Sequence, residues 1–106
     1  FRSHLSMAPS EYFARNCGIG ASCVPRRDLD LKEQIGLKQI MWGSDFPHPE
    51  GTWPNTADYF AETFAGFPVE DGKAILGGNA TKFYGMDEDY LRTIADEIGP
   101  QVSIFN

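Results

Sequence analysis

The segment at residues 40–49 (IMWGSDFPHP) constrains the fold of this chain more than any other. An apolar run ends abruptly at Gly43 and Ser44, and Asp45 and His48 follow at once. Two prolines around the histidine prevent the chain from continuing as helix or sheet. Parallel α/β enzymes build active sites from a buried strand that delivers a carboxylate into a rigid loop. The same pattern also fits a strand followed by an Asx turn, in which Asp45 bonds only to nearby backbone.

The length and charge of the chain limit the classes of function. Its 106 residues make one domain at most. The formal net charge of −6 argues against a nucleic-acid partner, because phosphate binding needs a clustered basic face. The basic cluster at residues 25–27 (PRR) is followed by acids and fits a solvated turn or a contact with an anionic substrate. No apolar run approaches the ~18–20 residues of a membrane span, so we expect no membrane partner.

The two cysteines and the first residue bear on the origin of the chain. Cys17 and Cys23 are too few and too dispersed for a disulfide framework or a zinc knuckle. On an extended segment they would lie roughly 20 Å apart, so we predict reduced thiols and a cytoplasmic protein. The chain begins at Phe1 and not at Met, from which we expect a processed or truncated polypeptide.

The first half of the sequence predicts a strand, a helix and a second strand. Residues 17–23 (CGIGASC) are small and nearly uncharged, which is typical of a strand buried on both faces. Asp28 or Asp30 then caps a helix that ends near Gly36, and a strand follows at residues 39–44. This length is typical of a parallel βαβ unit and indicates an α/β fold.

Helices dominate the rest of the prediction. Two strands cannot form a stable parallel sheet, because both faces and both edges need cover. Either another chain supplies more strands, or the sequence is the end of something larger. The predicted helices are a short one capped by Ser10, one from Asn55 or Thr56 to Phe64, one at residues 69–76 stopped by Gly77 and Gly78, one at residues 79–84 capped by Asn79, and one capped by Asp87 that closes at Gly99.

Three motifs in this order carry a family likeness. Residues 42–55 (WGSDFPHPEGTWPN) resemble the last barrel strand and following loop of the amidohydrolase-related family. Residues 78–85 (GNATKFYG) resemble the closing helix of that family, and residues 9–16 (PSEYFARN) resemble the approach to its seventh strand. The family comprises metal-dependent (β/α)8 barrel hydrolases and decarboxylases of the amidohydrolase superfamily.

The resemblance implies a fold and a site. Residues 1–106 would form the C-terminal portion of a TIM barrel, with its last two parallel strands and C-terminal helices. Asp45 would be the aspartate after the last strand, acting as metal ligand and proton acceptor, with zinc as the expected divalent metal. His48 would contact substrate or support the metal site, unless it packs in the loop. Trp53 would contact substrate, with packing over the barrel mouth as the alternative. We expect Glu50 to be solvated.

The sequence departs from the family pattern in its histidines. The other metal ligands of the family are a His-x-His pair and single histidines from earlier strands, whereas this chain has only His4 and His48. A catalytic zinc site needs about three protein ligands. We therefore expect an incomplete metal site in this chain, which alone should neither bind the metal tightly nor turn over substrate and should need the remainder of a barrel or a homo-oligomeric partner.

Three functions stay open from the sequence. The first is a hydrolase for a small-molecule substrate, in which a divalent metal activates water. The second is a metal-dependent decarboxylase, a lyase of the same family. The third is a non-catalytic fragment or a self-associating structural module.

Overall fold

The computed structural model describes residues 4–106, and two parallel strands lie at its centre. β1 (Ile19–Ser22) pairs with β2 (Ile40–Gly43), with Ile19 opposite Ile40 and Ser22 opposite Gly43. This confirms the predicted parallel pair and the α/β class. Each strand is shorter than predicted.

The burial of β1 differs from the prediction. The sequence predicts a strand covered on both faces, but Ile19, Gly20 and Ser22 are exposed. Within residues 4–106 the sheet contains only these two strands, so β1 has an unpaired edge there. The small, apolar side chains of β1 thus belong to a strand that is only partly covered by the residues from 4 to 106.

A short helix leads into β1. α1 (Pro9–Asn16) begins one residue after Ala8 and not after the predicted cap Ser10. Pro9 has the backbone angle that the first turn requires, and the Glu11 carboxylate accepts the Ala8 N–H at 2.6 Å. These two features move the start of the helix towards the N-terminus.

Two one-turn helices connect β1 to β2, where the sequence predicts one longer helix. They are α2 (Arg26–Leu29) and α3 (Lys32–Ile35), and Leu29 of α2 is fully buried. The Arg26 guanidinium donates to Asp30 at 3.0 Å and to the Ala65 carbonyl at 2.6 Å. The second bond joins α2 to the backbone at residue 65, about 40 residues further along the chain. Gly36, with φ 102°, ends α3 as predicted, and a 3₁₀ turn (Leu37–Gln39) leads into β2.

The core lies on one face of the sheet beneath α4 (Thr56–Phe64). Phe64 is fully buried at its centre, and the rings of Trp42 and Phe60 pack in a T-shaped arrangement with centroids 4.7 Å apart. A C-terminal 3₁₀ turn (Val102–Phe105) contributes Phe105 to the same cluster. The buried members of the core are Val24, Leu29, Ile40, Phe60, Phe64, Phe67, Ile75 and Phe105.

One continuous helical segment follows α4 and corrects two predictions. α5 (Val69–Lys73), a π-helix (Ala74–Gly78) and α6 (Asn79–Tyr84) run on without a break, so Gly77 and Gly78 do not stop the helix. Asn79 is not a cap: its buried side-chain amide donates to the carbonyls of Leu37 and Ile40, each at 2.8 Å. These bonds fix the helical segment to the start of β2.

The end of α6 and both ends of the last helix agree with the prediction. Gly85 ends α6 in a left-handed conformation with φ 63°. The Asp87 carboxylate then accepts the Tyr90 N–H at 3.0 Å and starts α7 (Glu88–Ile98), which Gly99 follows. The end of α6 at Gly85 and the start of α7 at Asp87 depend on neighbouring residues alone, which is why the sequence predicts them well.

The raised pKa values of two side chains predict how the stability of the fold changes at alkaline pH. Hydrogen bonding to Asp71 raises the pKa of Lys32, and burial raises the pKa of Tyr59. A group whose pKa is raised by folding stabilises the fold below its unfolded pKa and loses that contribution as the pH rises through the folded value. We therefore expect the free energy of unfolding to fall above pH about 10. Urea titrations from pH 8 to pH 11.5 measure it.

The matched control for this prediction is the double variant Lys32→Arg with Tyr59→Phe. Neither replacement titrates in this range, so the decline above pH about 10 should become shallower than in the wild type. An identical decline in both proteins would assign the alkaline sensitivity to other groups.

No helix within residues 4–106 is both long enough and apolar enough to cross a membrane.

Candidate active site

The candidate site lies where the two strands end. Because β1 and β2 are parallel and Ser22 pairs with Gly43, their C-terminal ends share one edge of the sheet. Cys23 leaves β1 at this edge, and Ser44 and Asp45 leave β2 beside it. This is the edge at which parallel α/β enzymes place their catalytic groups.

A compact loop at residues 44–53 follows β2. The Thr52 N–H donates to the Ser44 carbonyl at 3.0 Å and closes the loop at its base. Inside it, the His48 N–H donates to the Asp45 carbonyl at 2.8 Å and the Gly51 N–H donates to the His48 carbonyl at 3.0 Å. Asp45 itself has a left-handed backbone with φ 56°, and the Phe46–Pro47 and Trp53–Pro54 peptide bonds are cis. The three backbone hydrogen bonds make the loop a series of turns that reverses the chain tightly.

Gly51 allows this reversal. A Cβ atom at position 51 would lie 2.6 Å from the Ser44 carbonyl oxygen and 3.1 Å from that of Asp45. Those neighbours are backbone atoms, which cannot move aside as a flexible side chain can. The close approach brings the two ends of the loop together.

The loop gathers three side chains that can bind a metal. One ligand atom each from Asp45, His48 and Glu50 lies within 4.8 Å of the others, and His48 Nδ1 is 3.9 Å from Asp45 Oδ2. The Asp45 side chain is 37% exposed and that of His48 is 65% exposed. The structure thus brings together the two residues singled out by the sequence. It adds Glu50, which the sequence predicts to be solvated.

The predicted substrate contact Trp53 lies at the other end of the loop. Its ring packs edge-on against Phe46, with centroids 5.5 Å apart, and the two residues are 66% and 62% exposed. Phe46 is not among the residues predicted from the sequence, although its position directly after Asp45 was a usable signal. The two aromatic rings form an exposed apolar surface on the loop that carries the metal-binding side chains.

A comparison with known protein families shows to which family this chain is related. A family model described as amidohydrolase matches residues 6–86, which is more than half of the chain. The chain belongs to the amidohydrolase family. The match includes both strands, the loop at residues 44–53 and the helices up to α6, but it ends before α7. No curated protein and no solved structure matches the chain.

The residues of this amidohydrolase chain fit a divalent metal in type and number. Carboxylate oxygens and an imidazole nitrogen are donors that zinc accepts, and catalytic zinc sites use about three protein ligands. The loop supplies two carboxylates and one imidazole within the stated 4.8 Å. Asp45, the one metal ligand predicted from the sequence, is among these three. The sequence predicts no role for His4, which is exposed in the structure.

The cysteines lie at opposite ends of the β1 segment. Cys17 and Cys23 are both free and exposed, in line with the prediction of reduced thiols. The Cys23 thiol donates to the Glu50 carbonyl oxygen at 3.1 Å, which joins the end of β1 to the loop after β2. The contact holds the backbone of Glu50 at the shared strand edge.

Proposed function

We propose that this chain is the C-terminal portion of a metal-dependent hydrolase of the amidohydrolase family. β1 and β2 would be the last two strands of a (β/α)8 barrel, and the loop at residues 44–53 would form part of its active-site face. Family membership and the parallel strand pair support this assignment. The observation that carries it is the position of Asp45, directly after β2 at the C-terminal edge of the sheet.

The proposal gives each side chain a task. A bound divalent metal would supply Lewis-acid polarisation of water or of a substrate carbonyl. Asp45 would contribute a carboxylate oxygen to hold that metal, and its Oδ atoms would accept the proton that water loses during hydrolysis. His48, 65% exposed at the rim of the loop, would contact the substrate. Trp53 and Phe46 would offer the exposed apolar surface against which a small-molecule substrate packs.

The remaining strands would come from outside the described residues. β1 has an unpaired edge within residues 4–106, and its side chains are largely exposed. An exposed strand edge with small side chains is suited to pair with another strand. We propose that the rest of a barrel, or otherwise a second copy of this chain, covers this edge, and that the protein acts in the cytoplasm, where free thiols persist.

Native mass spectrometry with metal analysis of the same sample tests this function. We expect a species that carries further barrel segments together with about one divalent metal per barrel. That species should hydrolyse members of an ester and amide panel, lose the activity on treatment with a chelator, and recover it with Zn²⁺. A carboxylated aromatic substrate in the same panel reports on decarboxylation through release of CO₂.

Three outcomes would contradict the proposal. Hydrolysis that withstands complete metal removal would exclude a metal-dependent reaction. Release of CO₂ without any hydrolysis would assign the family's lyase activity in its place. A metal-free species whose mass is a whole multiple of the 106-residue chain would support the non-catalytic module.

A further inference from the structure

Cys23 lies at the exit of β1, on the strand edge that carries the candidate site, and the proposed function gives it no task. It follows Ser22, the last residue of β1, and its thiol is free and exposed. Its backbone is left-handed, with φ 50°. Within residues 4–106, the other non-glycine residue with a positive φ is Asp45, at the exit of β2. Such uncommon conformations persist where the surrounding structure holds them, and they are concentrated at active sites.

The Cys23 thiol joins the exit of β1 to the loop at residues 44–53. It donates to the Glu50 carbonyl oxygen at 3.1 Å, across 27 positions of the sequence. In the part of the chain that the structure describes, no other hydrogen bond connects the exit of β1 to this loop. The loop is also fixed at its base, where the Thr52 N–H donates to the Ser44 carbonyl at 3.0 Å. The loop is therefore held by β2 at its base and by β1 at Glu50.

The exit of β1 is itself held by α4. The Tyr59 hydroxyl donates at 2.6 Å to the carbonyl oxygen of Val24, the residue after Cys23. Val24 belongs to the buried core. The hydroxyl of the buried Thr52 lies 3.0 Å from that of Thr56 at the start of the same helix. The thiol therefore acts from a fixed support, and its bond to the loop transmits the position of that support.

We infer that Cys23 is a positioning residue, which acts on the reaction through the loop at residues 44–53. Its bond to the Glu50 carbonyl sets where the loop lies relative to β1, and so where Asp45 and His48 meet the substrate. The inference rests on the proposed function for the reaction itself. A thiol is a weak donor, so its loss should leave the fold intact. Catalysis is more sensitive than folding to such a change, because a displacement of roughly 1 Å can cost about 100-fold in rate.

Replacement of Cys23 in the species that contains this chain tests the role. Cys23→Ala should lower kcat/KM for hydrolysis about 10-fold, and Cys23→Ser, which keeps a donor, should recover most of that loss. Both replacements retain a Cβ atom at φ 50°, so they isolate the hydrogen bond. The control Cys17→Ala removes the other free and exposed thiol and should leave kcat/KM unchanged.

Hydrogen exchange of the 106-residue chain gives a measurement that needs no activity. In the loop, the Gly51 N–H donates to the His48 carbonyl and the Thr52 N–H donates to the Ser44 carbonyl. Both amides should exchange at least about 3-fold faster in Cys23→Ala than in the wild type, and Cys23→Ser should restore slow exchange. Thermal unfolding of the three proteins should agree.

The possible results separate this inference from the proposed function. Unchanged kcat/KM and unchanged exchange in Cys23→Ala would overturn the inference, while the hydrolase proposal would keep its own test. A serine variant as impaired as the alanine variant would also overturn it, because the retained donor would then have no effect. If no species hydrolyses the panel, the proposed function fails, and faster exchange in Cys23→Ala would leave the thiol with a purely structural role.

Discussion

Asp45→Asn should lower turnover of the metal-loaded enzyme at least about 100-fold while leaving the fold in place. Asparagine keeps the size of the side chain but lacks the negative charge that holds a metal and the basic oxygen that accepts a proton. Groups with such acid–base roles contribute roughly 10²–10⁴-fold to rates. Asparagine also tolerates the left-handed backbone at this position, where φ is 56°. Steady-state kinetics on the species that contains this chain measure the effect.

The matched control for this variant is Asp96→Asn. Asp96 is an exposed aspartate on α7, beyond the family match, so its replacement should leave turnover unchanged. Thermal unfolding of both variants should resemble that of the wild type. If Asp45→Asn kept near-normal turnover with the metal bound, Asp45 would be a turn residue and not a catalytic one.

Phe64→Ala should destabilise the fold by about 3–5 kcal/mol. Phe64 is fully buried and packs edge-on against Phe60, Phe67 and Phe105, with ring centroids 5.8–6.0 Å apart. Its removal opens a cavity among three aromatic rings from α4, the loop after α4 and the C-terminal 3₁₀ turn, so the site cannot collapse without moving several of them. Small domains are stable by only about 5–15 kcal/mol in total. Urea denaturation monitored by circular dichroism gives the change in the free energy of unfolding.

Two further variants keep this prediction measurable. Phe64→Leu retains most of the buried volume and should show a smaller loss, which matters if the alanine variant does not fold. Phe83→Ala removes the same side chain from a position that is 52% exposed, and it should cost less than half as much as Phe64→Ala. Equal losses at positions 64 and 83 would mean that the aromatic cluster is not the centre of the core.

Local signals in the sequence predict much of the fold correctly. The parallel pair of strands, the start of α7 at Asp87 and the end of α6 at Gly85 all agree with the structure. Each strand and each of these helix ends depends on residues within one or two turns: an apolar run, a carboxylate that reaches a nearby N–H, or a glycine with positive φ. The parallel pairing follows from the length of the connection between the two strands. Such features act in the same way in most surroundings, and the sequence alone therefore reveals them.

Two of the errors lie where distant parts of the chain meet. Gly77 and Gly78 weaken a helix intrinsically by roughly 0.5–1 kcal/mol each. The structure continues the helix through them because Ile75 is buried and Asn79 bonds to the carbonyls of Leu37 and Ile40. These partners are about 40 residues away in sequence, as with Arg26 and the carbonyl of Ala65. Glycine and asparagine propensities carry no information on such contacts.

The candidate site divides in the same way. The sequence by itself determined the family likeness, the strand before Asp45 and the presence of His48 in a proline-rich loop, because these features follow from the order of residues. Only the tertiary structure placed Glu50 beside Asp45 and His48, and Phe46 against Trp53. Those placements depend on how the loop turns back at Gly51 and is tied to β1 by Cys23. The physical reason is that a pattern of residue types records chemistry along the chain, whereas distances between side chains are set by turns and long-range bonds.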